Sequence, residues 1–268
     1  MMSKLNKRYN VIKPTKKDPR DFKYSLKMGV AAPIIPPSAN LKDYCPPVVN
    51  QLDIGSCTGN AGAGMNDFNQ LHQLRNHMST NVGKQMYDTK SFAPSSRLQL
   101  YYDERVIEGD PQEDGGAQVR DAVTVLCNTG ICKETTWPYN EQLTFTKPST
   151  QAYAEAALHK SSVYMELETL NDMKHCIASG FPFIFGFMVY ESFESDAVAT
   201  TGNMPMPAPS EECMGGHCVM AVGYDDKTQM FLVRNSWGTD WGLAGYFHMP
   251  YSFISNPNYA SDFWTVRK

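Results

Sequence analysis

Hydrophobic and polar positions in the first half of the chain recur at helical spacing. After Cys57, the apolar residues Met65, Phe68 and Leu71 follow one another at three-residue intervals, which places their side chains on one face of a helix. Similar patterns further along are bounded by the Ser, Gly and Pro residues that favour helix ends. The segments predicted to be helical are about 57–77, 94–108, 118–130 and 150–158.

The second half of the chain is instead rich in β-branched and aromatic residues, in short runs bounded by turns, which predicts strands. Helices first and antiparallel strands later predict an α+β protein with two lobes. The tetrapeptide Asp-Asp-Lys-Thr at 225–228 separates two of the runs and predicts a hairpin loop. The predicted strands lie within residues 161–167, 181–190, 217–225, 230–237 and 244–250.

Five prolines make residues 31–47 an extended connector with little helix. We therefore divide the chain into an N-terminal arm, residues 1–40, a helical lobe, residues 41–140, and a β-rich lobe, residues 141–268. The length of 268 residues fits one large domain or two lobes that share a site.

Charge is unevenly distributed between the arm and the rest of the chain. Residues 1–30 hold nine Lys and Arg residues against two Asp residues, a charge of +7, so the net charge of −4 leaves −11 for residues 31–268. A basic arm on an acidic body can bind nucleic acid or anionic lipid, fold back onto the body, or remain a solvated tail. The body itself has no nucleic-acid footprint.

Targeting and redox signals are few. The basic N-terminus lacks the apolar stretch of a secretory signal, and the longest apolar run, residues 181–190, is too short to span a membrane.

Seven cysteines is an odd number, so at least one thiol lies outside any internal disulfide, and without a signal a reducing compartment is the default. No pairing is assigned among Cys45, Cys127, Cys132, Cys176, Cys213 and Cys218.

Cys57 is the first candidate for chemistry. It opens the first predicted helix, where backbone N–H groups and the helix dipole favour a thiolate, and its small neighbours leave room for a substrate backbone. A lone helical Cys is more often a small buried apolar residue. Gln51 stands six residues before it, in Val-Val-Asn-Gln.

Two later strings complete a pattern. His217 precedes a buried strand in Gly-Gly-His-Cys-Val-Met-Ala-Val-Gly-Tyr, and Asn235 opens Asn-Ser-Trp-Gly-Thr-Asp-Trp-Gly. With Cys57 and Gln51, these strings resemble the papain family of cysteine peptidases over about residues 46–268. The resemblance is closer to the compact enzymes of bacteria and large viruses than to lysosomal cathepsins.

The resemblance implies roles for the catalytic residues. Cys57 would be the nucleophile, His217 its base, and Asn235 the group that orients the imidazole. Gln51 and the Cys57 N–H would form the oxyanion hole, where one donor typically contributes ~3 kcal/mol to acyl transfer. Trp237 would cover the Asn–His hydrogen bond.

The resemblance also implies substrate-binding residues and a fold. Gly115 and Gly116 would hold the substrate backbone, although a plain helix-entry turn explains them as well. Gly216 and Trp237 join them as predicted substrate-binding residues. The implied fold has a helical left lobe and an antiparallel, β-barrel-like right lobe, with the active site in the cleft between them.

The sequence departs from the family pattern in several places. Most secreted members have Cys three residues before the nucleophile and Trp directly after it, where this chain has Ile54 and Thr58. Residues 191–214 have the character of an insertion near His217. The motifs of the family's long helical propeptide are not found in the 268 residues, and we hypothesise that the arm, residues 1–40, blocks the cleft and makes a latent zymogen.

These features predict a cysteine endopeptidase that acts through a thioester acyl-enzyme. The alternatives are an amidase or transpeptidase of the same fold and a catalytically silent binding protein. The expected partner is a peptide or protein substrate, with no metal, no cofactor, no membrane span and no nucleic acid for the catalytic body, which is expected to be a monomer. The expected location is the cytoplasm, or a virion or viral factory if the protein is viral.

Overall fold

A computed structural model describes residue 15 and residues 18–24, 35–78 and 92–268. Most of the arm, and therefore most of the prediction made for it, lies outside these ranges. Within them the chain places a set of helices first and an antiparallel sheet later, which confirms the α+β prediction. No helix in these ranges is long and apolar enough to cross a membrane.

Within the described ranges, three helices pack on one another: α1 (Cys57–Met78), α2 (Arg97–Glu108) and α3 (Val119–Asn128). The hydroxyl of Ser96 accepts a hydrogen bond from the backbone N–H of Gln99, so Ser96 is the N-cap of α2. Gly130, at φ +86, follows the end of α3, and a Cβ there would meet the carbonyl oxygen of Ala156 at 2.0 Å. The helix predictions made from spacing and caps are confirmed.

One seven-stranded antiparallel sheet follows among the described residues. Its order is β2-β7-β3-β4-β5-β6, with β1 paired to β4. The strands are β1 (Ser38–Asn40), β2 (Val163–Glu166), β3 (Phe183–Tyr190), β4 (Cys213–Asp225), β5 (Met230–Arg234), β6 (Tyr246–Pro250) and β7 (Ala260–Arg267). The later helices are α4 (Thr150–Ala156), α5 (Leu170–Ala178), α6 (Asp196–Thr201) and α7 (Tyr251–Ile254).

The sheet is open, so the expected barrel-like closure is wrong. Its two outer strands, β2 and β6, are each covered by a nearby segment instead of pairing with each other. Phe22 of the arm accepts a hydrogen bond from the backbone of Glu166 in β2, and residues 202–204 exchange backbone bonds with His248 in β6. Covering an edge satisfies its backbone groups and prevents edge-to-edge association, so closure is not required.

The core brings the two halves together at the start of α1. This helix packs against β4, and a cluster of buried aromatic rings forms around the neighbouring strand β3. The predicted insertion at 191–214 contains a 3₁₀ turn at Glu191–Glu194, helix α6 and the first two residues of β4. The members of the aromatic cluster include Phe183, Phe185, Phe187, Phe193, Phe247 and Phe253.

Arg234, the last residue of β5, ties the proline-rich connector to the sheet. Its guanidinium is buried and donates to the carbonyl oxygens of Pro46 at 2.6 Å and Pro47 at 2.5 Å, and to the Tyr246 hydroxyl at 3.3 Å. A proline carbonyl in an irregular segment has no ladder partner, so a buried arginine supplies the missing donors. The connector is thereby fixed directly beside the residues that follow β5.

Replacing this guanidinium is predicted to destabilise the protein. Arg234→Met keeps the buried volume but strands two carbonyl oxygens, and we expect a loss of about 2–4 kcal/mol in the free energy of unfolding. Urea denaturation followed by tryptophan fluorescence measures it. Arg20→Met is the matched control, because Arg20 is exposed and pairs only at the surface with Asp18. Equal midpoints for the two variants would contradict the role of Arg234.

Candidate active site

His217 and Asn235 meet beside β4, just past the end of β5. His217 lies in β4 and Asn235 directly follows β5, and both side chains are buried. His217 Nε2 and Asn235 Oδ1 are 2.8 Å apart. The predicted pairing of these two residues is present in the geometry.

The backbone N–H of Ser236 shows which ring nitrogen of His217 carries the proton in this hydrogen bond. The N–H of Ser236 donates to the same oxygen, Asn235 Oδ1, at 2.8 Å. A backbone N–H can only donate, so this atom is the amide oxygen and not the nitrogen, and His217 Nε2 must be the protonated nitrogen. Nδ1 is therefore the ring nitrogen left for proton exchange with a nucleophile.

Aromatic rings enclose the imidazole. Trp237 stacks on His217 with ring centroids 4.8 Å apart and an interplanar angle of 22°. Phe187 presents an edge contact at 5.7 Å, and Phe193 of the insertion packs on Trp237 at 5.5 Å. The surroundings of the His–Asn bond are therefore apolar, which strengthens the bond and limits ring rotation.

Cys57 begins α1 beside this pair. The backbone N–H of Cys218, the residue after His217, hydrogen-bonds to the Cys57 thiol. Burial nevertheless raises the pKa of Cys57 to about 12, and the Glu104 carboxyl adds to the rise. This direction is opposite to the thiolate implied by the resemblance, because Cys57 is only 2% exposed and desolvation favours the neutral thiol.

Gln51 is fixed by the segment that carries Asn235. Its backbone N–H donates to Ser236 O at 2.8 Å, and its side-chain oxygen accepts from the Ser236 hydroxyl at 2.6 Å. Its Nε2 donates to Ile54 O at 3.1 Å. An amide nitrogen has two N–H groups, so this arrangement is compatible with a second donor directed at an oxyanion.

The predicted substrate-binding glycines take different positions. Gly115 is exposed and nothing lies within 4 Å of a Cβ built there, whereas Gly116 is buried at φ +81. Gly216 is buried within β4, opposite Met188. The geometry leaves open space for a peptide at Gly115, and the substrate-binding roles of all three glycines stay predictions.

Two polar residues support the nucleophile segment and were not assigned from the sequence. Asp114 accepts from the Gly55 N–H at 3.0 Å and from the Tyr101 hydroxyl at 2.6 Å. Tyr139 donates to Gln51 O at 2.7 Å and bonds to the Ser56 hydroxyl at 2.6 Å. In the sequence, Asp114 directly precedes Gly115 and Gly116, and Tyr139 ends the string Trp-Pro-Tyr, but neither position indicates its hydrogen-bond partner.

A sequence profile described as papain family cysteine protease matches residues 103–261, which is more than half of the chain. The chain belongs to the papain family. The profile match includes His217 and Asn235 but begins after Cys57 and Gln51. Relatives that align over the whole length cover those two residues.

Two full-length relatives support the predicted compact type. The chain is 37% identical to an uncharacterized peptidase C1-like protein of Acanthamoeba polyphaga mimivirus, over 99% of this chain and 85% of that protein. Xylellain, a cysteine protease from Xylella fastidiosa, has a similar structure, with a TM-score of 0.82, 35% identity and 98% coverage of both chains. Pro-cathepsin H of Medicago truncatula is 30% identical over 51% of this chain and 38% of its own length.

The orienting role of Asn235 predicts a kinetic effect. Asn235→Ala leaves the Nε2 proton of a buried imidazole without its acceptor, so kcat/KM for peptide cleavage should fall by about 100-fold or more. Steady-state cleavage of a fluorogenic peptide measures it.

The chain offers a matched control for this test. Asn203→Ala removes the acceptor from a second Asn–His contact, the exposed pair of Asn203 Oδ1 and His248 Nδ1 at 3.3 Å, and should leave kcat/KM unchanged. Equal rates for Asn235→Ala and Asn203→Ala would contradict the role of Asn235.

Proposed function

We propose that Cys57 is the nucleophile of an endopeptidase that hydrolyses peptide bonds through a thioester acyl-enzyme. The observation that carries the proposal is the buried His217–Asn235 hydrogen bond next to Cys57 at the start of α1. Cys57, His217 and Asn235 supply what acyl transfer needs, namely a thiol nucleophile, a base and an acceptor that orients the base.

The reaction begins with transfer of the Cys57 proton to His217 Nδ1. The thiolate attacks the scissile carbonyl carbon, and the resulting oxyanion accepts from Gln51 Nε2 and the Cys57 backbone N–H. The imidazolium returns its proton to the amine as the C–N bond breaks, which leaves a thioester on Cys57. Water then loses a proton to His217, attacks the thioester and releases the carboxylic acid and the Cys57 thiol.

Ion-pair formation must overcome the burial of Cys57. The N–H groups of the first turn of α1 have no acceptor inside the helix and carry a partial positive charge, which favours a thiolate there. A protonated His217 supplies a full charge at the same place, and Asn235 cannot remove that charge because an amide does not ionise. These positive groups favour the thiolate–imidazolium pair and act against the desolvation of Cys57.

Water and amines can compete as acceptors for the acyl-enzyme. Hydrolysis gives a free carboxylic acid, whereas an amidase would cleave a side-chain or terminal amide and a transpeptidase would give a new amide when an amine is added. Mass spectrometry of the products, with and without added amine, separates these reactions. We propose hydrolysis of peptide or protein substrates by a monomer in a reducing compartment, in the cytoplasm or, for a viral protein, in a virion or viral factory.

We further propose that the arm keeps the full-length protein latent. Its described residues dock on the body by opposite charges and burial. Asp21 pairs with Arg120 at 2.7 Å, Lys23 with Glu166, and Tyr24 is buried with its hydroxyl 2.9 Å from His175 Nδ1. Thr15 donates its backbone N–H to Asp262 Oδ2 at 3.2 Å, on a strand that pairs with β3.

A thiol-reactive epoxide at pH 5–6 tests the nucleophile. Ordinary thiols are protonated at this pH, so only a thiolate paired with a cation reacts quickly. Intact mass should show one adduct, absent in Cys57→Ala and retained in Cys213→Ala, which removes the exposed thiol. An adduct that persists in Cys57→Ala would contradict the assignment.

Releasing the arm should speed this labelling. A protein that starts at residue 35 keeps β1 and lacks the docked segment, and Asp21→Asn weakens the contact with Arg120 within the full chain. We expect the shortened protein and Asp21→Asn to label faster than the full-length protein. For Asp21→Asn the expected increase is about tenfold, because the charged hydrogen bonds between Asp21 and Arg120 are weakened. Asp43→Asn changes an exposed Asp and serves as the control. Equal labelling rates for all four proteins would contradict latency.

A further inference from the structure

The two groups proposed to bind the oxyanion lie on either side of an irregular turn. One is the side-chain amide of Gln51 and the other is the backbone N–H of Cys57, and residues 52–55 between them form neither helix nor strand. Leu52, in this turn, has a φ of +54, a conformation that residues other than glycine seldom adopt. A regular backbone ladder therefore does not set the spacing of the two donors, and contacts from other parts of the fold take over that role.

The hydroxyl of Tyr139 connects the two sides of this turn. Tyr139 Oη is 2.7 Å from Gln51 O and 2.6 Å from Ser56 Oγ. A carbonyl oxygen can only accept, so the single phenol proton is donated to Gln51 O, and the Ser56 hydroxyl must be the donor to Tyr139. Ser56 directly precedes Cys57, and the peptide group that joins them contains the Cys57 N–H. One hydroxyl thus links the backbone of the first donor to the peptide of the second.

Asn60, one turn further along α1, fixes the other end of this hydrogen-bonded chain. Its Nδ2 donates to Ser56 Oγ at 2.9 Å and to Ser56 O at 2.8 Å. The Ser56 hydroxyl therefore accepts from Asn60 and donates to Tyr139, and every bond in the chain runs in the same direction. Burial raises the pKa of Tyr139, so the phenol keeps the proton that the chain requires. Aligned hydrogen bonds in a buried setting strengthen one another.

Arg97 spans the same turn a second time. One of its terminal nitrogens donates to Asn50 O and to Asn60 Oδ1, each at 3.1 Å. Glu134 binds the other side of the guanidinium through two hydrogen bonds of 2.9 and 2.7 Å. The guanidinium also lies over the ring of Tyr139, 3.8 Å from its centroid. The ring is therefore held by a cation that itself joins the two sides of the turn.

We propose that Tyr139 is a positioning residue that sets the distance between Gln51 Nε2 and the Cys57 N–H, with Ser56 and Arg97 holding its hydroxyl and its ring. The inference rests on the proposed peptidase function. An oxyanion is stabilised fully only when both donors reach it at about 2.7–3.1 Å. A displaced donor should therefore slow acyl transfer and leave the reactivity of the Cys57 thiolate unchanged.

Two reactions of Cys57 in the full-length protein separate these effects. Cleavage of a fluorogenic peptide passes through an oxyanion. Attack of the thiolate on 2,2′-dipyridyl disulfide does not, because it forms a mixed disulfide and releases 2-thiopyridone. Tyr139→Phe should lower kcat/KM for cleavage by about tenfold, and should keep the Cys57-dependent rate of the disulfide reaction within about twofold.

The chain offers a matched control for the loss of a phenol hydroxyl. Tyr153, in α4, donates its hydroxyl to Asp103 Oδ1 at 2.7 Å. Tyr153→Phe should leave both reactions unchanged, because this hydrogen bond does not reach the turn at residues 52–55. Equal rates of peptide cleavage for Tyr139→Phe and Tyr153→Phe would overturn the inference.

A second variant breaks the same chain at another link. Ser56→Ala removes the donor to Tyr139, and we expect a similar fall in cleavage, again with the disulfide reaction preserved. Because both changes interrupt one chain, the double variant should cleave at about the rate of the slower single variant. Losses that multiply in the double variant would contradict a shared chain and overturn the inference.

The outcomes also distinguish this inference from the proposed function. A fall of equal size in cleavage and in the disulfide reaction, in both Tyr139→Phe and Ser56→Ala, would show a loss of the thiolate and overturn the positioning role alone. If the unsubstituted protein cleaves no peptide in a Cys57-dependent way, the proposed peptidase function is overturned, and the inference with it.

Discussion

The hydrogen bond from His217 Nε2 to Asn235 Oδ1 is the interaction around which the site is organised. It joins the strand β4 to the residue that follows β5, so the sheet register sets its length. The Ser236 N–H fixes the amide oxygen and Trp237 covers the imidazole, which leaves the ring one orientation. Because the bond is buried, an imidazole ring turned away from Asn235 would leave its Nε2 proton without an acceptor. The free-energy cost of that unpaired group holds the ring in the observed orientation.

Residues 234–237, which include Asn235, also hold Gln51 and the proline-rich connector in place. Arg234 binds the carbonyls of the proline-rich connector, and Ser236 binds Gln51 through both backbone and side chain. Residues 234–237 therefore position the base, its orienting amide and the residue proposed for the oxyanion hole together. The nucleophile follows six residues after Gln51, at the start of a helix that packs against β4. Fold and site thus depend on the same contacts.

The sequence predicted most elements because their signals are local. Caps such as Ser96, glycines at helix ends and runs of aromatic residues require no knowledge of partners. Helix α5 was missed because it has only nine residues, although Thr169 and Asp172 form a capping box and Leu170, Met173 and Ile177 recur at helical spacing. Strand β7 was missed because Asp262 and Ser261 interrupt its apolar pattern. The open sheet could not be predicted, since it depends on distant segments that cover β2 and β6.

At the site, residue types were predictable and their environment was not. Family strings located Cys57, His217 and Asn235, but the burial that raises the pKa of Cys57 is a property of the packed protein. Glu104 illustrates the same limit, because nothing near it in sequence shows that it lies under the nucleophile.

The protonation of the His217 ring tests the central claim most directly. Long-range ¹H–¹⁵N correlation spectra of protein labelled with ¹⁵N-histidine distinguish the two ring nitrogens. A buried acceptor at Asn235 Oδ1 predicts a protonated Nε2, with slow exchange of its proton, throughout the pH range in which the protein is folded. A neutral ring that carries its proton on Nδ1, with a bare Nε2, would contradict the account.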